Sequence, residues 1–213
     1  MEIVLSAPQP LFASALRAEA SGLADVSVYE GSILDLACDA IISPANSFGF
    51  MDGGIDQTYT AHFGEEVQTR VRENILYQHQ GELLVGAATI VPTGNPHIPH
   101  LIAAPTMRVP MWLGEETVNP YLATRAVMLL VREGRFTSGP HIGEPVKDHV
   151  KRLALPGMGT GVGGVPFAIS ARQMVRAIAQ FRDGPYRLPT SWAEASEDHI
   201  RLYSEKVVPL QRS

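Results

Sequence analysis

One cysteine, Cys38, is all that the 213 residues contain. An intramolecular disulfide framework and a cysteine-rich zinc site are therefore excluded. No apolar run approaches the 18 residues that a membrane-spanning helix needs. Basic residues are outnumbered, 17 Lys and Arg against 22 Asp and Glu, for a formal net charge of -5. This balance excludes general nucleic-acid binding, which requires a basic face. It leaves room for a small anionic ligand, because backbone N–H groups hold phosphates without side-chain charge. No Gly-Lys-Ser or Gly-Lys-Thr occurs, so the lysine of a Walker A loop is missing. The start, Met1 to Ser6, is too short for a signal peptide and is soon interrupted by Pro8. A soluble, cytoplasmic protein is the expectation.

Apolar residues and glycine are plentiful. Hydrophobic residues make up 45% of the chain and charged residues 18%, which is the composition of a folded domain with its own core. Nineteen glycines and sixteen prolines point to many specified turns. Strand-like and helix-like segments alternate. Strands are expected within Glu2–Leu5, Asp25–Glu30, Asp39–Ser43, Glu82–Val91, Ile98–Ala104 and His149–Leu155. Helical spacing marks Pro10–Ala20, Ile55 to about Gln80, Val118–Arg132 with Asn119 as its cap, and Phe167–Phe181. Arg135–Asp148 reads as a loop. The pattern predicts a three-layer α/β/α sandwich on a mixed, mostly parallel sheet. One domain is expected over residues 1–182, with 183–213 as an extension packed on it and a helix around His199–Lys206.

Two glycine-rich segments each follow an expected strand and precede an expected helix. The first is Ser43–Asp56 (SPANSFGFMDGGID) and the second Pro156–Pro166 (PGMGTGVGGVP). Such loops let the backbone approach a ligand, and the helix N-termini they feed favour an anion. Together they suit a diphosphate held from both sides. The second loop contains Gly159-x-Gly161-x-x-Gly164, the spacing of a dinucleotide fingerprint, with Asp183 as its distant acidic partner. Dense glycine makes this spacing weakly specific, so a nicotinamide-dinucleotide oxidoreductase stays a minor reading.

The segment Gly31-Ser32-Ile33-Leu34-x-Leu36-x-x-Asp39-Ala40-Ile41-Ile42-Ser43-Pro44-Ala45-Asn46 resembles the opening of a macrodomain, the ADP-ribose-binding module. Asp52-Gly53-Gly54-Ile55-Asp56 is similar to the G-G-G-V-D segment of that family, and Gly159 to Pro166 to its S-T-G-V-F-G-Y-P. Gly86 to Thr93 is a fainter likeness to its G-x-A-x-x-T strand. The likeness runs in order over roughly residues 25–182. It implies an ADP-ribose or ADP-ribosylated partner and hydrolysis at the distal ribose, with no cofactor. The alternative is a binding module without catalysis. By the resemblance Asn46 meets the distal ribose and Asp56 places or activates water beside it. Gly53, Gly54 and Ile55 line the distal phosphate and ribose. Gly159, Thr160, Gly161, Val162 and Gly163 cradle the diphosphate, and Ser32 and Ile33 face the adenine.

Three positions depart from the family pattern. Ser32 stands where the adenine-binding aspartate is expected, Ser43 where an asparagine is, and Gly163 where an aromatic ring is. A neutral hydroxyl accepts a weaker bond than a carboxylate, and a stacking surface at position 163 is lost. Read from their local setting alone, Asp56 is also an ordinary helix-start carboxylate and Asn46 an ordinary turn residue. Asp52 reads as a helix cap, Asp39 as a strand start, Cys38 as a packed small residue and His62 as a surface or core residue. Arg108 is a candidate phosphate contact. His97-x-x-His100 lies in an extended segment that separates the rings poorly for chelation. No His, Cys and carboxylate set has convincing ligand spacing, and no metal is needed for the chemistry. The sequence leaves the oligomeric state open.

Overall fold

The structure is a computed structural model that describes residues 1–182 and 187–207. Six strands form one sheet: β1 (Glu2–Ser6), β2 (Val26–Tyr29), β3 (Ala40–Ser43), β4 (Thr89–Pro92), β5 (His100–Ala103) and β6 (Arg152–Leu155). Their order is β2-β1-β6-β3-β5-β4. Every pairing is parallel except that of the edge strand β4 with β5. The α/β sandwich on a mixed, mostly parallel sheet is therefore the observed architecture.

The strands are short, and the inner ones are mostly apolar and buried because helices cover both faces. Alternation of side chains sorts them. Ala40, Ile42, Ile102, Leu153 and Leu155 enter one core cluster, while Ile41, Leu101, Ala103 and Ala154 enter the other. The first cluster is closed by α1 (Pro10–Glu19), α4 (Asn119–Glu133) and α6 (Phe167–Arg182), which contribute Phe12, Leu16, Val127, Val131, Met174 and Ile178. The second is closed by α2 (Gly54–Phe63) and α3 (Glu66–His79), through Tyr59, Val67, Val71 and Ile75. No described helix is long and apolar enough to cross a membrane.

Several boundaries differ from the sequence reading. The single helix expected from Ile55 to about Gln80 is two, because Gly64 adopts φ +89° and ends α2. Asn119 does not cap α4; its side-chain amide donates to the Thr106 carbonyl at 2.8 Å. The segment read as a loop contains a short helix, α5 (Val146–His149), so β6 begins at Arg152 and not at His149. The last helix, α7 (Trp192–Ile200), lies earlier than His199–Lys206. Its start carries a variant of the capping box: the Ser191 hydroxyl accepts from the Glu194 N–H, and the Glu194 carboxylate accepts from the N–H of Thr190, one residue before the cap. Arg176 on α6 pairs with Asp198 on α7 at 2.8 Å, and Ile200 and Leu202 are buried. Residues 183–186 and 208–213 of the expected extension lie outside the described residues.

The topology also explains where a crevice opens. Neighbouring strands β3 and β6 are parallel, and each leads into one of the glycine-rich loops. The chain then turns to opposite faces, to α2 after β3 and to α6 after β6. The two loops part at the carboxyl ends of their strands, and a ligand site is expected between them.

Candidate functional site

A cavity of about 450 Å³ occupies that position. The residues that the resemblance assigns to ligand binding and catalysis line it: Ser32, Ile33, Asn46, Gly53 to Asp56, and Gly159 to Gly163. The first loop is built onto the sheet. Thr106 N–H donates to the Ala45 carbonyl and Ser47 N–H to the Arg108 carbonyl, so residues 104–108 continue β5 alongside the chain leaving β3. The loop is also anchored to α3, where the Gln68 side chain accepts from Met51 N–H at 2.6 Å.

The charged side chains among the lining residues are Asp52 and Asp56; none is cationic. Anion-holding capacity lies in the backbone instead. In the second loop, Gly164 N–H is taken by Gly161 O and Val165 N–H by Gly159 O. Among the described residues, no protein acceptor meets the N–H groups of Thr160, Gly161, Val162 or Gly163. Opposite them, α2 begins at Gly54, and its first-turn N–H groups have no intrahelical partner.

Asp56 sits in that first turn and is only 7% exposed. The Ser43 hydroxyl donates to its Oδ1 at 2.5 Å. Its other oxygen has no protein partner among the described residues and is not sealed in, so it opens to the cavity. Burial pushes the carboxyl up to about 7, against the lowering effect of the Ser43 bond. A carboxyl that titrates near neutrality inside a cleft is suited to proton transfer. Beneath it, the buried Tyr59 hydroxyl donates to the Ile42 carbonyl, and burial raises its pKa well above the usual value.

Asn46 is 9% exposed and its side chain already organises the loop. Oδ1 accepts from Phe48 N–H and Phe50 N–H, and Nδ2 donates to Phe50 O at 2.8 Å. One amide hydrogen is left over for a ligand. Ser32 caps a single 3-10 turn, Ile33–Asp35, by accepting from Leu34 N–H, which leaves its hydroxyl proton free.

Gly163 is glycine for a steric reason. A Cβ there would lie 2.6 Å from the Gly159 carbonyl oxygen and 2.9 Å from the Leu113 side chain. Leu113 N–H also donates to Gly163 O, binding the segment after β5 to the second loop. A tyrosine or phenylalanine at this position must displace backbone. Exposed aromatic surface at the cavity comes from Phe50, while Phe12 and Tyr59 form buried wall behind it and the Trp112 ring lies directly against the backbone of Gly164.

Other candidates fall outside the site. Arg108 is ion-paired with Glu82 at 2.6 Å, largely exposed, and not among the residues that line the cavity, in keeping with a solvated side chain. Asp52 lines the rim but makes no capping bond to α2, whose N-cap is Gly53. Asp39 ties β3 to β6 by accepting from the N–H groups of Lys151 and Arg152. Cys38 is packed in the core, where burial, and next the Asp39 charge, raise its thiol to about 11. His62 is exposed and packs edge-on against Phe63. Asp183 lies outside the described residues. Sequence reasoning missed Ser43 as the partner of Asp56, and the lining residues Phe12, Phe50, Tyr59, Thr106 and Met107. It also found no metal-ligand set, whereas the fold brings His141, Glu144 and His149 together away from this cavity.

A parallel-sheet sandwich with two glycine-rich loops around such a cleft defines an α/β fold with a ligand crevice at the carboxyl ends of its strands. The Macro domain family model matches residues 42–174, well over half of the chain, and the chain belongs to that family. An uncharacterized protein of Aquifex aeolicus is 37% identical over 158 residues, covering 74% of this chain and 82% of that one. A Salmonella gallinarum protein named O-acetyl-ADP-ribose deacetylase is 29% identical over 186 residues, covering 84% and 92%. Among solved structures, an Oceanobacillus iheyensis macrodomain with ADPR has a TM-score of 0.57 at 20% identity, covering 73% of this chain and 77% of that one. The Mycobacterium tuberculosis DarG macrodomain has a TM-score of 0.56 at 20% identity, covering 72% and 89%. These structures establish the likeness of fold.

Proposed function

We propose that the protein binds ADP-ribose or an ADP-ribosyl derivative in this cavity and hydrolyses a bond at the distal ribose. The observation that carries this reading is the buried Asp56 carboxyl, pushed up to about 7, with one oxygen open to a cavity into which the second loop and the start of α2 bring unpaired backbone N–H groups. The diphosphate takes the unpaired N–H groups of the second loop and of the start of α2. Asn46 offers its remaining amide hydrogen to the distal ribose, which fixes the reacting carbon beside Asp56. The relative named as a deacetylase makes an acetyl ester of ADP-ribose the first substrate to try. For that ester, ionised Asp56 takes a proton from water as the water oxygen bonds to the acyl carbon. The tetrahedral intermediate then expels the ribose oxygen, which takes back the proton held by Asp56, giving acetic acid and ADP-ribose and restoring the carboxylate. For an N- or O-glycosidic linkage the same water attacks the anomeric carbon.

Calorimetric titration of ADP-ribose into the wild type and Asn46→Ala tests the binding half. Saturable binding is expected, weakened about tenfold by loss of one polar contact of 1–1.5 kcal/mol. Equal thermal melting of the two proteins controls for loop damage. No binding of the wild type at millimolar ligand sinks the reading. Acetate release from O-acetyl-ADP-ribose, run beside substrates with protein-linked ADP-ribose, tests the catalytic half. A second reading is a binding module without turnover. It is favoured by the engagement of Asn46 and Ser32 in their own loops, and it requires binding with no hydrolysis of any linkage.

A further inference from the structure

At the opposite end of the parallel strands from the cavity, residues 134–149 form a tightly tied loop. Arg135 pairs with Pro145, Phe136 N–H donates to Glu144 O, Gly143 N–H donates to Phe136 O, and Glu144 N–H donates to His141 O. The Arg135 guanidinium donates to Gly143 O at 2.7 Å. The loop is therefore shaped by its own backbone, before any side chain at its edge is considered. Its floor is Phe136, 3% exposed, whose ring lies 5.5 Å from each of the His141 and His149 rings and 5.0 Å from His100. His100 itself is held by a 3.0 Å contact of Nδ1 with the Asp39 carbonyl.

This framework brings two imidazoles and one carboxylate to a point. The His141 and His149 rings are 3.8 Å apart, centre to centre. Glu144 lies against both: Oε2 is 2.6 Å from His149 Nε2, and Oε1 is 3.7 Å from His141 Nδ1. One ligand atom from each residue falls within 4.8 Å of the others. Tetrahedral coordination at about 2.1 Å separates ligand atoms by about 3.4 Å, between the two spacings observed. Two imidazoles and one carboxylate that already converge this closely offer a cation three ligand atoms with little rearrangement.

We propose that His141, Glu144 and His149 form a binding site for one divalent transition-metal ion of the zinc class, with solvent as the fourth ligand. Two imidazoles and one carboxylate suit zinc and its neighbours, whereas magnesium and calcium require more oxygen ligands. All three side chains are partly exposed, so an ion enters from solvent without opening the core. Bound there, it clips the loop to α5 just ahead of β6. The site is separate from the nucleotide cavity, and its occupancy does not depend on the activity proposed above.

The test uses the full chain without an affinity tag, stripped by a chelator and titrated with Zn²⁺ against a chromogenic competitor. One equivalent of sub-micromolar affinity is expected, together with a higher Tm on adding Zn²⁺. Co²⁺ should give the visible absorption of a tetrahedral site. Loss of a direct ligand should exceed the 10–100-fold effects of outer-shell changes, so His141→Ala and His149→Ala should each weaken binding at least about 100-fold. The double variant should show no Zn²⁺-dependent rise in Tm while still melting cooperatively when metal-free. Glu144→Gln supplies a milder variant if either histidine change prevents folding. Absence of stoichiometric binding by the wild type, its survival in the double variant, or equal displacement by Mg²⁺ overturns the site.

Discussion

Asp56→Asn is expected to lower kcat on the best substrate by about a hundred- to ten-thousand-fold, the usual contribution of a positioned general base. The dissociation constant for ADP-ribose should change only a few-fold. The amide keeps the shape of the carboxyl and still accepts the Ser43 hydroxyl bond. What it cannot do is take a proton from water. The wild-type rate should also carry the signature of the group. With the carboxyl pushed up to about 7, kcat/KM should rise as pH increases through that value and level off above it. The variant should lack this limb. Steady-state product release from pH 5 to 9, beside calorimetry on the same two proteins, decides the matter. Equal losses of binding and turnover would assign Asp56 to binding alone.

The same substitution should make the protein more stable. An aspartate with an ordinary value of 3.8 in the unfolded chain and about 7 in the fold binds its proton more tightly when folded. Between these values the unfolded state holds fewer protons, so stability falls as pH rises from about 4 to 7 and stays lowered above. The cost at pH 8 has an upper bound of about 4 kcal/mol, at 1.36 kcal/mol per pH unit. Water reaching the open oxygen reduces it. Asp56→Asn removes this cost. Urea unfolding should therefore show near-equal stability at pH 4 and a clear surplus for the variant at pH 8. At about 2–4 °C per kcal/mol, the corresponding Tm gain is several degrees or more. A difference independent of pH would mean that burial does not hold the carboxyl up.

Much of the fold could be read from the chain because its signals are local. The short apolar, β-branched run Asp39–Ser43 marks a strand buried on both faces, and Ile41 enters one core cluster while Ala40 and Ile42 enter the other. The stripe on Phe167–Phe181 is the face of α6 that enters the core. The cavity was legible as two glycine-rich loops after strands, since close backbone approach has few other uses at that density. What escaped depends on pairs distant in sequence. Ser43 meets Asp56 across 13 residues, and the segment after β5 meets both loops only through the strand order. Gly163 stands in sequence where the family has an aromatic ring, and only the fold places Leu113 and the Gly159 carbonyl in the space a side chain would need. The trio of His141, Glu144 and His149 was hidden because no periodicity predicts how an irregular loop folds back on itself. The break at Gly64 and the capping box at Ser191 were local, yet each was outweighed by the helical or polar character of its surroundings.

No cationic side chain is among the described residues that line the cavity, and this bears on how a ligand arrives. A diphosphate approaching a chain of net charge -5 meets long-range repulsion, and the two carboxylates at the cavity add to it. Its attraction begins only within hydrogen-bonding reach of fixed, neutral donors. Added salt screens the repulsion and leaves those short contacts intact. Ligand capture here therefore quickens, or holds steady, as ionic strength rises, the reverse of a site that draws phosphates in with lysine and arginine.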